Sequence, residues 1–114
     1  MTEAVIVSAA RTSIGKTYRG AFNDLTAPSL ATVAIKSAVE RAGIEPSEMD
    51  DCIFGVALQQ GSQGMNFARQ AAIAAGLPVS VAAMNIDRQC SSGLMAIASA
   101  AAKVLLVYSK YYKR

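Results

Sequence analysis

The residues best suited to chemistry in this chain lie together in Asn85-Ile86-Asp87-Arg88-Gln89-Cys90-Ser91-Ser92-Gly93-Leu94. A short apolar run precedes Cys90 and an alanine-rich helical run follows it, so the thiol falls at a strand-to-helix turn. Unpaired N–H groups at a helix start carry partial positive charge, which favours a thiolate and lowers a thiol pKa. A sharp turn of this kind also projects its side chain from the carboxyl edge of a sheet, and Gly93 permits close approach of a substrate or a neighbouring backbone. Cys90 is therefore a candidate nucleophile for covalent catalysis. The competing reading, an inert buried thiol, is the ordinary fate of a lone cysteine. It suits Cys52, which sits in the middle of an apolar run.

The rest of the inventory is defined by what is missing. There is no histidine, the usual general base near neutral pH, so a complete Cys-His machine cannot be built from these 114 residues. No zinc-ligand spacing and no G-x-G-x-x-G occur, and no metal site is expected. Ala10-Arg11-Thr12-Ser13-Ile14-Gly15-Lys16-Thr17 comes within one residue of the phosphate-cradling G-x-x-x-x-G-K-[ST] pattern. Ala10 replaces its first glycine and Tyr18-Arg19-Gly20 does not continue as a helix, so the segment reads as a structural loop. The net charge of +3 is local: residues 1–102 carry seven basic against eight acidic side chains, and Lys103, Lys110, Lys113 and Arg114 supply the excess. A solvated basic end is expected, with no nucleic acid or membrane partner.

Hydrophobic content of 53% with 17% charged residues marks a chain that folds. No apolar run approaches the length of a spanning helix and no secretory leader is evident, so a cytoplasmic protein with two reduced cysteines is expected.

The elements that must carry Cys90 follow from periodicity. Ala4 to Ala10 is apolar without alternation, as a strand buried on both faces would be. Thr26 is a plausible N-cap, Pro28 falls in the first turn, and Leu30, Val33, Ala34 and Ala38 form an inward stripe of a helix that Gly43 stops. Cys52 to Leu58 reads as a second strand. Asn66 caps a helix through Phe67, Ala71, Ala72 and Ala75, and Val81 to Ile86 reads as a third strand. From Ser91 the helical run has almost no polar face and should be buried all round. Val104 to Tyr108 could extend it or form a strand. The order βαβαβα argues for a parallel sheet with crossover helices.

Four segments give these elements a resemblance to a known family: Ala4 to Lys16, Gly55 to Gln60, Asn66 to Ala72, and Asn85 to Ala98. Together they resemble the N-terminal half of a thiolase. The resemblance runs in order over about residues 3 to 102. It implies an α/β fold, a βαβαβα part of a thiolase-like N-terminal domain with helices on both faces of a parallel or mixed sheet, here truncated. Residues 1–102 would be that partial domain and 103–114 a basic tail outside the family.

The activity implied is acyl transfer through a cysteine thioester, cleaving 3-ketoacyl-CoA with coenzyme A or condensing two acyl-CoA molecules. Coenzyme A thioesters would be substrates, with no permanently bound cofactor, and the full-length family is expected to form homo-oligomers. Cys90 matches the acyl-accepting cysteine, and its backbone N–H would contribute to an oxyanion hole. A histidine and a second cysteine from the C-terminal half would move protons. The version Arg88-Gln89-Cys90-Ser91-Ser92-Gly93 is closer to the 3-ketoacyl-CoA thiolases than to the acetoacetyl-CoA enzymes. The alternative is a non-catalytic thiolase remnant acting only as an interaction or assembly fragment.

Overall fold

The structure is a computed structural model that describes residues 3–111, with side chains to residue 106. The end of the basic tail, residues 112–114, lies outside the described residues. Three α-helices and two strands are present, in the order α1 (Ala27–Ala42), β1 (Asp51–Gly55), α2 (Phe67–Ala74), β2 (Ala82–Ile86) and α3 (Ser92–Tyr111). The strands are parallel, with Asp51 opposite Ala82 and Gly55 opposite Ile86, and α2 is the crossover between them. Val56 N–H extends the ladder to the Ile86 carbonyl at 2.9 Å.

The local signals act as physical chemistry requires. Thr26 caps α1, its hydroxyl accepting the Ser29 N–H at 3.4 Å, and Gly43 ends it in the left-handed region at φ 66. Asn66 caps α2 by accepting the Arg69 N–H at 3.3 Å. Residues on β1 alternate between two faces. Cys52 and Phe54 face α1 and α2, where they join Ala31, Val56, Phe67, Ala71, Ala72, Leu77 and Val81 in the core. The Phe54 and Phe67 rings meet edge to face at 5.2 Å. On the other face, Asp51 pairs with Lys103 of α3 and Gly55 abuts the first residues of that helix.

Four expectations are corrected. The first is the strand at Ala4 to Ala10, which does not form, so the sheet has two strands rather than three. Val5, Ile6 and Val7 are 72%, 75% and 69% exposed. β-Branched content favours extended backbone, but a strand also needs a ladder partner and cover on both faces, and this sheet supplies neither to residues 4–10. The segment is instead held to α1 by Arg41, whose guanidinium donates to the Ala9 carbonyl at 2.8 Å.

The second is the stripe assigned to α1. The helix carries two apolar stripes, and the one that packs inward is Ala27, Ala31, Ile35 and Val39, while Val33 is exposed. Spacing at i, i+4, i+8 and i+12 serves a helix lying across α2 as well as the expected spacing does.

The third is α3, which is not buried all round. Ser92 and Ala96 are buried against the sheet side, whereas Leu94, Ile97, Val104 and Leu105 are exposed. An all-round apolar helix needs layers on every side, and the described residues cover one side only.

The fourth concerns spanning length. The window Gln89–Leu106 has a mean hydropathy of 1.3 over 18 residues and is 11% buried, so one helix is long and apolar enough to cross a membrane by length and composition alone. Leucine, isoleucine, valine and alanine, interspersed with serine, glycine and one lysine, give that average. The ion pair of Lys103 with Asp51 joins this window to the α/β layer.

Candidate functional site

Cys90 lies in the turn between the carboxyl end of β2 and the start of α3, two residues before the helix begins. It is an exposed free thiol, whereas Cys52 is a buried one. Burial pushes the Cys52 thiol up from its ordinary value, and the neighbouring Asp51 charge adds to the effect. The expected division between a core cysteine and an accessible one is therefore present in the geometry.

The turn itself is tightly tied. Gln89 adopts φ +49, a left-handed conformation uncommon for a side chain of its size. The Asp87 carboxylate accepts the Gln89 N–H at 2.9 Å. Ser91 N–H returns to the Arg88 carbonyl at 3.1 Å and Ser92 N–H to the Gln89 carbonyl at 3.1 Å. The Ser91 hydroxyl donates to the Arg88 carbonyl at 2.9 Å. The Ser92 hydroxyl works in both directions, donating to the Gln89 carbonyl at 2.6 Å and accepting the Arg88 N–H at 2.8 Å. Ser92 is only 4% exposed. Among the described residues, no acceptor takes the N–H of Cys90.

The neighbouring elements fix where this turn sits. A Cβ on Gly55 would lie 2.4 Å from the Gly93 nitrogen and from the Ser92 carbonyl carbon, so the end of β1 meets the start of α3 backbone to backbone. The close approach anticipated at Gly93 is thus made by Gly55, and a Cβ on Gly93 would meet nothing within 4 Å. Asn85 on β2 accepts the Ala68 N–H at 2.8 Å and donates to Gln59 Oε1 at 3.1 Å, joining β2 to the start of α2 and to the loop after β1. Asn66 donates to the Ala83 carbonyl at 3.0 Å, and Arg69 donates to the Val79 and Val81 carbonyls.

Sequence reading assigned no role in this site to Ser92, Gly55 or Asn85. For Ser92 a signal existed, since a serine at the head of an otherwise apolar helix invites the question of what its hydroxyl bonds. For Gly55 the signal was a glycine inside a strand pattern, which marks close backbone approach. The segment resembling a phosphate loop is indeed followed by turns over residues 17–25 rather than by a helix. Two open depressions lie along residues 9–17, reaching Phe22, Asn23, Leu30 and Arg41, and Cys90 lines neither.

Residues 4–109 match the family described as Thiolase, N-terminal domain. The chain is 50% identical over 105 residues to an acetyl-CoA acetyltransferase of Cupriavidus necator, covering 92% of this chain and 26% of that protein. It is 51% identical over 106 residues to an acetyl-CoA acetyltransferase of Paracoccus denitrificans, covering 93% and 27%. With a 3-ketoacyl-CoA thiolase of Bacillus subtilis it is 43% identical over 106 residues, again covering 93% and 27%. The chain thus spans about a quarter of the length of these relatives. The two acetyltransferases exceed the Bacillus thiolase in identity, opposite to the leaning of the residues around Cys90. Other relatives carry cytosolic or peroxisomal labels in their names.

Proposed function

The chain belongs to the thiolase family, and we propose that it serves acyl transfer between coenzyme A thioesters with Cys90 as the acyl-accepting nucleophile. The observation that supports this reading is an exposed thiol on a strained, hydrogen-bonded turn between a parallel strand and a helix, inside the segment that matches the family. In the acylation half-reaction the Cys90 sulfur attacks the thioester carbonyl. A new sulfur–carbon bond forms, the bond to the coenzyme A sulfur breaks, and the departing sulfur takes up a proton. In 3-ketoacyl-CoA cleavage the same sulfur attacks the 3-keto carbon, the bond between carbons 2 and 3 breaks, and the released carbanion is protonated to acetyl-CoA. Coenzyme A then takes the acyl group from Cys90. The Cys90 N–H is the oxyanion donor that this chain contributes.

These steps need proton transfers that the turn does not supply, and the chain has no histidine to make them. A multiple-turnover assay of the 114 residues on acetoacetyl-CoA and longer 3-ketoacyl-CoA substrates is therefore expected to stay at background. A single acetyl group transferred from acetyl-CoA should nonetheless be found on Cys90 by peptide mass spectrometry, and be absent in Cys90→Ala. Acetylation that persists in Cys90→Ala, or none on Cys90 after prolonged incubation with excess acetyl-CoA, would remove the proposal.

A second reading, a remnant that acts only by association, is favoured by the exposed Leu94, Ile97 and Val104 on α3. It predicts a mass in solution above that of one chain and no acetylation. A cytoplasmic setting and homo-oligomerisation of the full-length form belong to the leading proposal.

A further inference from the structure

We propose that Ser92 is the positioning residue that sets the Cys90 turn, an inference that rests on Cys90 being the nucleophile. Gln89, immediately before Cys90, is held at φ +49, where a residue with a Cβ is strained. Something must oppose its relaxation. The Ser92 hydroxyl does so by spanning the strained residue: it binds the N–H of Arg88 on one side, at 2.8 Å, and the carbonyl of Gln89 itself, at 2.6 Å. Both bonds end on the buried Ser92 hydroxyl and are part-buried, so their loss costs more than that of a fully exposed bond.

Ser92 is itself immobilised, because its carbonyl carbon and oxygen lie against Gly55 at the end of β1. The chain of constraint therefore runs from the sheet through Gly55 to Ser92, from Ser92 to Gln89, and from Gln89 to the thiol. Ser91 does not share this role, since its hydroxyl is exposed and reaches only the Arg88 carbonyl.

The test is alkylation of the folded chain with iodoacetamide, with the rates at Cys90 and Cys52 read by peptide mass spectrometry against glutathione in the same tube. Ser92→Ala loses two part-buried hydrogen bonds and is expected to slow Cys90 about tenfold. Ser92→Thr, which keeps the hydroxyl, should stay near the wild-type rate. Ser92→Ala combined with Gln89→Gly should recover most of the loss, because glycine holds positive φ without a clamp. Wild-type labelling of Cys90 in Ser92→Ala while Cys52 stays protected would overturn the proposal, as would a double variant no faster than Ser92→Ala alone.

If Ser92→Ala unfolds, shown by rapid labelling of Cys52, nuclear magnetic resonance of the wild-type chain decides. A slowly exchanging Ser92 hydroxyl proton and a positive φ at Gln89 support the clamp, and a freely exchanging hydroxyl or an ordinary φ refutes it. Alkylation needs neither coenzyme A nor a base. Ser92 dependence without acetylation of Cys90 would therefore sink the functional reading alone, and acetylation without Ser92 dependence would sink the clamp alone.

Discussion

The contact between Gly55 and the head of α3 makes a quantitative prediction. In Gly55→Ala the new Cβ would lie 2.4 Å from the Gly93 nitrogen and the Ser92 carbonyl carbon and 2.6 Å from the Ser92 oxygen, where ordinary contact begins at 3.4 Å. About 1 Å of separation must therefore be opened. All three neighbours are main-chain atoms, so no rotamer change relieves the clash. Overpacking of this kind costs about 1–3 kcal/mol. For a chain of this size that is a fall in Tm of roughly 10 °C, followed by far-UV circular dichroism. The same displacement pulls Ser92 away from Gln89, so Cys90 alkylation should change together with stability. Gly93→Ala is the control, since its Cβ meets nothing within 4 Å and alanine is the better helix former. A Gly55→Ala chain melting within about 2 °C of wild type, or a Gly93→Ala chain more damaged than it, would refute the close-approach argument.

Two further expectations follow from named groups. The raised Cys52 thiol stays protonated in the fold while the unfolded chain ionises from pH 9.0 upward, so the unfolded state there binds fewer protons and stability falls as pH rises. The contribution is fully present below that pH; urea midpoints should drop above it, and Cys52→Ala should flatten the decline. Asn85→Ala should cost about 1–3 kcal/mol, because it strands the N–H of the buried Ala68, while the exposed Gln59 side chain turns to water. Urea unfolding with an unchanged midpoint would show that water replaces both bonds.

What the sequence disclosed and what it hid divide along a physical line. Helix caps and stops were legible because they are local: Thr26, Gly43 and Asn66 act on backbone groups within a few residues of themselves. The parallel pairing of β1 with β2 was legible because a crossover helix leaves few alternatives. The first strand was misread because a strand is a relation between segments. An apolar run such as Val5-Ile6-Val7 states a preference for burial, and does not state that a partner edge is present. The inward stripe of α1 was misread for a related reason, since two apolar stripes on one helix are separated only by what packs against them. The place of Cys90 at a strand-to-helix turn was legible from its neighbours in sequence. Ser92 and Gly55 were missed as its supports because their partners, a strained carbonyl and a second backbone, become visible only once the chain is folded.

The same distinction separates the nucleophile from the reaction. The contacts that hold the Cys90 turn run from residue 55 to residue 95, and most of them are main chain: the end of β1, the turn after β2 and the first turn of α3. A site fixed by backbone and one buried hydroxyl can be set by a small unit, without help from distant side chains. Proton transfer is different, because it needs a titratable group within hydrogen-bond reach of the reacting sulfur. Among the described residues, the charged side chains within the turn itself are those of Asp87 and Arg88. Asp87 is already engaged with the Gln89 N–H and Arg88 leans on the Met95 sulfur at 3.5 Å. Under the proposed function the turn presents a thiol and one N–H with no histidine beside them, so acylation of Cys90 without turnover is the expected outcome.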